Sequence, residues 1–272
     1  MASYTPRPPS SVTRTGAYEP FELQVARTQI PLHTTYFRFG WANAIGTNPQ
    51  TITSAVSAGN IYVYPAAATV MTVSSSSASD TSAGTGARTI LVAGLDANYN
   101  SISEIVTLNG QTAVNTVNSY LRIQYTELLT TGSGNTQAGT IYIGTGTVTA
   151  GVPATIYWQS DLTYNNFSFA GFTVPAGYTA YISSYTITSQ STTANINVSL
   201  ALAVYESGKP FGELQSTARL SSNGAFDRHF DYPLAIPEKS DFHLRAWAST
   251  GAAVNVTGEI QFMLIKDDAG TA

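Results

Sequence analysis

Asn195-Ile-Asn-Val-Ser-Leu-Ala-Leu-Ala-Val-Tyr205 is the stretch that decides the fold class. Ile196, Val198, Leu200, Leu202 and Val204 share one parity, and Asn195, Asn197, Ser199, Ala201 and Ala203 share the other. Side chains alternate across a strand, so this spacing predicts one apolar face that packs and one polar or small face. Ile260, Phe262 and Leu264 alternate with Glu259, Gln261 and Met263 in the same way, as do Phe242, Leu244 and Ala246 with His243, Arg245 and Trp247. Half-buried strands of this kind belong to antiparallel sheets rather than to parallel sheets covered on both faces. Elsewhere, short runs of Thr, Val, Ile, Tyr and Ser are separated by Gly, Asn and Pro, the pattern of strands and turns. Asn109-Gly110, between residues 102–108 and 111–117, predicts a hairpin with a type I′ turn. Asn223-Gly224, Ala176-Gly177 and Ser207-Gly208 punctuate the second half. The expected class is all-β, an antiparallel β-sandwich or jelly roll.

Composition divides the chain in three. Residues 1–40 hold Arg7, Arg14, Arg27 and Arg38 together with Pro6, Pro8, Pro9 and Pro20, and read as an extended N-terminal arm. Residues 41–160 are rich in Ser, Thr and Gly and nearly uncharged, and read as one β-sandwich. Residues 161–272 carry more aromatics and most of the acids, and read as a second sandwich or jelly roll. Within the middle region, residues 74–86 (SSSSASDTSAGTG) are lowest in complexity and predict a flexible loop.

Charged residues make up only 10% of the 272, against a usual level of about 25%. Hydrophobic residues stand at 43% and net charge at −4, so the chain is built to fold. Lys209, Lys239 and Lys266 are its only lysines and the arginines are scattered, which leaves no basic footprint and argues against a nucleic-acid partner. The lack of cysteine excludes disulfides, thiolate nucleophiles and iron–sulfur clusters. No apolar run approaches the ~18 residues of a spanning helix, and no leader-like segment opens the sequence, so no membrane partner is expected. Neutral Thr, Ser, Asn and Tyr surfaces suit packing into an assembly, where buried charges would cost desolvation.

Residues able to carry chemistry are sparse. Asp227-Arg228-His229 and Asp241-Phe242-His243 each place an acid and an imidazole on one strand face, and two such pairs on neighbouring strands could ligate a divalent metal. The plainer expectation is a solvated His–carboxylate pair on a sheet face. Asp96-Ala-Asn98-Tyr-Asn100 begins like an EF-hand loop, but Ser101 and Thr107 stand where Gly and Glu are needed, and an Asx turn is expected instead. No G-x-S-x-G elbow, dinucleotide fingerprint or P-loop is present, and acids such as Glu104, Glu127, Asp161 and Glu206 cannot be paired from spacing. Trp158, Tyr178, Tyr181, Tyr185 and Trp247 could form a stacking platform for a glycan, or could simply pack cores and interfaces. No cofactor, metal or catalytic residue is expected.

Several segments resemble virion structural proteins of tailed bacteriophages, particularly phages of marine bacteria and cyanobacteria. These are Glu19-Pro-Phe-Glu-Leu-Gln-Val-Ala-Arg27 leading to Phe39-Gly40, residues 72–114, Asn118-Ser-Tyr-Leu-Arg-Ile123, Val174-Pro-Ala-Gly-Tyr178, residues 232–241 and residues 258–268. Thr28 stands where similar proteins more often carry Gly. The resemblance implies a β-sandwich structural protein with no catalytic residues to transfer. The leading expectation is a capsid decoration (cement) protein, a homotrimer bound to the major capsid protein on the outer surface of the virion after synthesis in the host cytoplasm. Its arm, through Phe21, Leu23, Val25, Arg27 and His33, would contact capsid or neighbouring subunits, with residues 21–25 adding as a strand to an exposed sheet edge. A tail or fibre-adaptor component and a glycan-binding attachment module are the alternatives.

Overall fold

A computed structural model describes residues 19–55, 60–162, 166–191, 196–209, 212–221, 223–250 and 254–267. One short helix, α1 (Phe21–Ala26), precedes β1 (His33–Ile45) and β2 (Gln50–Thr51). Next come β3 (Thr69–Ser75), β4 (Ala87–Leu95), β5 (Ser101–Thr107), β6 (Val114–Tyr120) and β7 (Arg122–Thr131). They are followed by β8 (Ile141–Thr149), β9 (Val152–Asp161), β10 (Asn166–Phe167), β11 (Gly171–Thr173) and β12 (Tyr178–Gln190). The last strands are β13 (Asn197–Tyr205), β14 (Glu213–Ser221), β15 (Gly224–Ile236), β16 (Asp241–Ala248) and β17 (Val254–Lys266). The all-β expectation holds.

The alternation read at β13 builds the larger core. Val198, Leu200, Leu202 and Val204 are buried there, facing Ile260, Phe262 and Leu264 of β17. Asn195 lies outside the described residues. A sheet ordered β1-β17-β12-β15 packs over one ordered β11-β16-β13-β14. From β11 onward the chain alternates between the two sheets except at the β13–β14 hairpin, and every pairing is antiparallel. This order is that of a jelly roll.

One strand position of the jelly roll is filled by two separate pieces. Along one edge of β16, β2 sets Gln50 and Thr51 against Ala246 and Arg245, and β11 sets Gly171, Phe172 and Thr173 against His243, Phe242 and Asp241. Between them the Ile52 amide donates to the Leu244 carbonyl, and the Leu244 amide donates to the Ala170 carbonyl. Residues 53–169 are therefore an insertion that leaves after Ile52 and rejoins at Ala170. Its two connecting passes pair with each other, with Thr53 bridging Phe169 and the Ser54 amide donating to the Ser168 carbonyl. Gly40 lies against this junction, where a Cβ would come within 2.3 Å of the Ile52 carbonyl oxygen and 2.5 Å of the Ala170 nitrogen. The cores divide accordingly. Ala42, Ile45 and Ile52 pack with β12–β17, and the second core runs from Ala55 to Phe169. The first part of residues 41–160 thus belongs to the same body as residues 171–266.

The arm is corrected as well. Residues 33–40 lie in β1, paired along β17, and Phe21–Ala26 is helical rather than extended. Leu23, Gln24 and Ala26 are good helix formers and Pro20 sits just before the first turn. Gln24 and Arg27 donate their amides to the Pro20 and Leu23 carbonyls, and the Arg27 side chain pairs with Glu19. Main-chain groups engaged in this turn are not free to join a sheet edge, so the strand-addition latch is not the state of this segment. Residues 1–18 lie outside the described residues.

In the insertion, a sheet ordered β10-β9-β8-β3-β6 packs on β5-β4-β7. The Asn109-Gly110 hairpin does not form, because β5 pairs with β4 and β6 pairs with β3. Gly110 has φ +61° but Asn109 lacks the positive φ that a type I′ turn also needs. Gly110 is used elsewhere, donating to the Asp80 carbonyl and accepting from the Ser75 amide. The turn with both residues at positive φ is Ala150-Gly151, which joins β8 to β9.

The low-complexity segment 74–86 is also ordered, around the fully buried Asp80. Its carboxylate accepts from the amides of Ala87 (2.6 Å), Ala138 (2.8 Å) and Gly139 (2.9 Å) and from the Ser75 hydroxyl (2.5 Å). Asp80→Ala would strand these donors in the interior. The loss should be at least about 3 kcal/mol, measured by denaturant unfolding; a change within experimental error would show that the carboxylate does not hold this loop.

Candidate functional site

The insertion is fastened to the jelly roll by charges taken out of water. Arg122, the first residue of β7, donates from Nε and Nη2 to both oxygens of Asp241, the first residue of β16, each at 2.9 Å. Both side chains are about nine-tenths buried. Arg122 Nη1 also donates to the carbonyls of Pro65 and Leu121, and the Thr173 hydroxyl donates to Asp241. Burial alone would lower the Arg122 pKa, but the hydrogen bonds and charge of Asp241 outweigh it and raise the value. The guanidinium lies 4.5 Å from the ring centre of Tyr64, whose own pKa is pushed far up, first by burial and then by Asp241. Beside the pair, Gln124 exchanges hydrogen bonds with the backbone of Thr173.

His243 stands on the same outward face of β16 and is fully buried. Its Nε2 accepts from Arg245 Nε at 2.9 Å, Tyr64 Oη lies 3.4 Å from Nδ1, and the ring stacks on Tyr205. Desolvation by burial pushes its pKa down to about 3. The face of β13 expected to be polar or small is therefore covered in its middle, while Asn197 at its start stays exposed. Ala201 and Ala203, across from Arg245 and His243, are buried on it.

Between β1 and the β5-β4-β7 sheet of the insertion runs an open cleft with two chambers of about 500 and 550 Å³. Arg38, Gln124 and Tyr125 line both chambers. Phe37, Phe39, Leu129 and Phe167 form apolar walls of the first. A third cavity, about 590 Å³, lies on the outer face of the β1-β17-β12-β15 sheet and is lined by Phe21, Phe37, Tyr181, Pro233, Met263 and Ile265 among others.

The residues expected to act together are dispersed. Phe21 and Leu23 of α1 are exposed, Val25 is buried, Arg27 is tied to Glu19, and His33 meets Phe21 edge to face at 5.8 Å. Trp158 and Tyr185 lie in the two cores. Tyr178 and Tyr181 stand on β12 and Trp247 on β16, in opposite sheets, so the five aromatics form no common platform. Asp227 and His229 pair with each other at 2.9 Å in the open, as a plain sheet face predicts. Asp241 and His243 are instead buried against the insertion, and β15 and β16 lie in different sheets, so the four residues do not converge. Among the described residues no group of His, Asp and Glu is arranged to hold a metal. Asp96 makes the expected Asx turn, accepting from the amides of Asn98 and Asn100, and those bonds lower its pKa. Sequence reasoning missed Arg122 and Arg38. The signal was faint: Arg38 is the only Arg, Lys, Asp or Glu in β1, and Arg122 shares β7 with a single acid, Glu127.

No protein-family model matches the chain, and no curated protein matches it. Among solved structures it aligns with the infectious bursal disease virus Gx strain structure at 11% identity and a TM-score of 0.19, over 93% of this chain and 82% of that one. It aligns with the VP2 subviral particle of the same virus at 11% identity and a TM-score of 0.17, over 93% and 84%. Overlap this loose carries no weight for fold or function.

Burial of neutral His243 makes stability depend on acid. Its folded pKa lies below the unfolded value of about 6.5, so protons bind the unfolded chain first. Stability is then lost as pH falls from about 6.5 toward 3. At pH 5 this one group should cost about 2 kcal/mol relative to pH 8. The comparison to make is urea unfolding of the native chain and His243→Gln at both pH values. The native chain should lose the larger share, and parallel losses would remove His243 as the cause.

Proposed function

We propose that the chain is a structural virion component, a capsid decoration (cement) protein that binds the major capsid protein on the outer shell as a homotrimer and bridges neighbouring capsomers. The observation that carries this reading is a jelly roll holding a second sandwich, with a buried ion pair fastening one to the other. Jelly rolls are an architecture of viral capsid and lectin domains. Such a body suits a mechanical task, since many copies each add contact free energy to a shell. The weakly charged surface fits the same role, because few charges need be desolvated on assembly. The resemblance of residues 19–27, 72–114 and 232–241 to virion proteins of tailed phages points the same way. A role without catalysis is part of this reading.

Phe21 and Leu23, about half exposed on α1, are the contacts we assign to the tether. A short helix offering two apolar side chains would seat in a groove of the capsid rather than extend a sheet. The glycan-attachment alternative gains nothing from the dispersed aromatics.

Removing residues 1–30 spares both cores, because β1 starts at His33. The truncated chain should keep its β circular dichroism spectrum and a cooperative melt, lowered by the loss of buried Val25, yet fail to bind purified heads, and undiminished binding would defeat the tether. Quantitative staining with immunogold labelling of particles tests the wider reading. Hundreds of copies spread over the head are expected, whereas a few copies at one vertex or on the tail would favour an adaptor.

A further inference from the structure

Arg38 makes no ion pair among the described residues, and Glu127, which lines the same chamber, accepts from the Tyr125 hydroxyl instead. The ion pairs among the described residues join other side chains. Its guanidinium carbon lies 5.3–5.8 Å from the ring centres of Phe172, Tyr36 and Tyr125, in the middle of the cleft. Aromatic faces offset part of its lost hydration. They leave the fork of N–H donors unfilled, and a carboxylate is the group that fits such a fork with two parallel bonds. Arg38 Nε, Thr126 Oγ1 and Trp158 Nε1 are the buried side-chain polar atoms without a partner among the described residues. All three belong to residues that line the first chamber. Hydrogen bonding is thus left incomplete around this one cleft.

The backbone of the cleft wall is open as well. β1 is terminal in its sheet, and so is β7 on the opposite wall. The Phe39 carbonyl accepts from the Phe169 amide, and the Trp41 amide points to Ser168 Oγ. Main-chain groups of these alternate residues therefore face away from β17. The antiparallel alternation carries that direction to Phe37 and Thr35, past the point where Phe169 covers the edge.

We infer that this cleft is a docking groove for an extended acidic segment of a partner protein, which pairs with the free edge of β1 at Thr35 and Phe37 and sets a Glu or Asp carboxylate on Arg38. Main-chain bonds then supply affinity, and the guanidinium supplies selectivity for the acid. The inference stands apart from the virion reading.

The test titrates the full chain with acetyl-Thr-Val-Xaa-Val-Thr-amide peptides in which Xaa is Glu, Gln or Lys, following the backbone amides of β1 and the Arg38 Nε–H by NMR. The Glu peptide should bind saturably, the Gln peptide at least about tenfold more weakly, and the Lys peptide not at all. Arg38→Met should bind the Glu and Gln peptides alike. A Glu peptide N-methylated at alternate amides should not bind, which tests strand pairing without any change to the protein. Failure of the Glu peptide to saturate, equal binding of all three, or selectivity that survives in Arg38→Met would overturn the inference. Saturation by glucuronate with no response to the Glu peptide would overturn it in favour of an acidic sugar.

Discussion

The edge of β16 has to be completed by two short strands that come from opposite ends of an inserted domain. β2 covers Arg245 and Ala246, β11 covers residues 241–243, and Leu244 between them takes its bonds from Ile52 and Ala170. If the ends of the insertion did not meet, the jelly roll would have an unpaired gap in its sheet, with buried main-chain groups unsatisfied. The insertion must therefore begin and end at one point, and the paired passes through Thr53, Ser54, Ser168 and Phe169 bring it there. Gly40 gives way beneath the junction because a side chain would occupy the space of the Ile52 carbonyl. The contact between Arg122 and Asp241 depends on this geometry, since it joins the first residue of β7 to the strand whose edge has just been completed.

Charge is scarce in this chain, and the few charges taken inside carry structural joints. Asp80 gathers three amides and a hydroxyl to close a serine-rich loop, and Arg122 and Asp241 neutralise each other between two bodies. Glu104 accepts from the amides of Val117 and Asn118 and from the Tyr120 hydroxyl, sealing the seam where β5 meets β6. Each is a carboxylate or guanidinium whose hydrogen-bonding capacity is largely used, which is the condition under which a buried charge is tolerated. Outside, charged side chains such as Lys209 with Glu206 and Asp227 with His229 pair among Thr, Ser, Asn and Tyr. Arg38 departs from this pattern, and for that reason its cleft reads as unfinished until something docks there.

What the sequence made legible followed from periodicity. The parity of β13, β16 and β17 is local, and it placed Leu200, Leu244 and Phe262 in the core. The junction at Ile52 and Ala170 is a pairing between distant segments, and nothing in the neighbourhood of either residue announces it. Composition changed near residue 160 because the insertion is poor in charge, but the return to the jelly roll comes at Ala170 and the departure falls unmarked at Ile52. The Asn109-Gly110 signal failed because β6 found its partner in β3, so tertiary pairing overrode a good local turn. The second face of β13 read as polar or small, and its small residues Ala201 and Ala203 are the part that the fold buries. His243 and Asp241 looked like a repeat of Asp227 and His229, since spacing cannot distinguish a covered sheet face from an open one. Residues 21–26 misread as part of an extended arm because the helix they form is too short to show a period.

The pairing of β1 with β17, from His33 against Ile265 to Ile45 against Val254, sets an order of events during synthesis. All strands of the insertion, β3 to β10, are made before β11 leaves the ribosome, and several of their contacts are between neighbours, as in β4 with β5 and β8 with β9. Local pairings form fast and distant ones slowly, so the insertion can fold while the jelly roll waits. β1 has no other neighbour in its sheet and stays unpaired until the last strand arrives. A chain broken off before β17 would carry a finished insertion on a sandwich that cannot close, with Tyr36 and Phe172 deprived of Phe262. The two ends of the jelly roll are thereby made interdependent, because β1 gains its sheet partner only in a chain translated through β17.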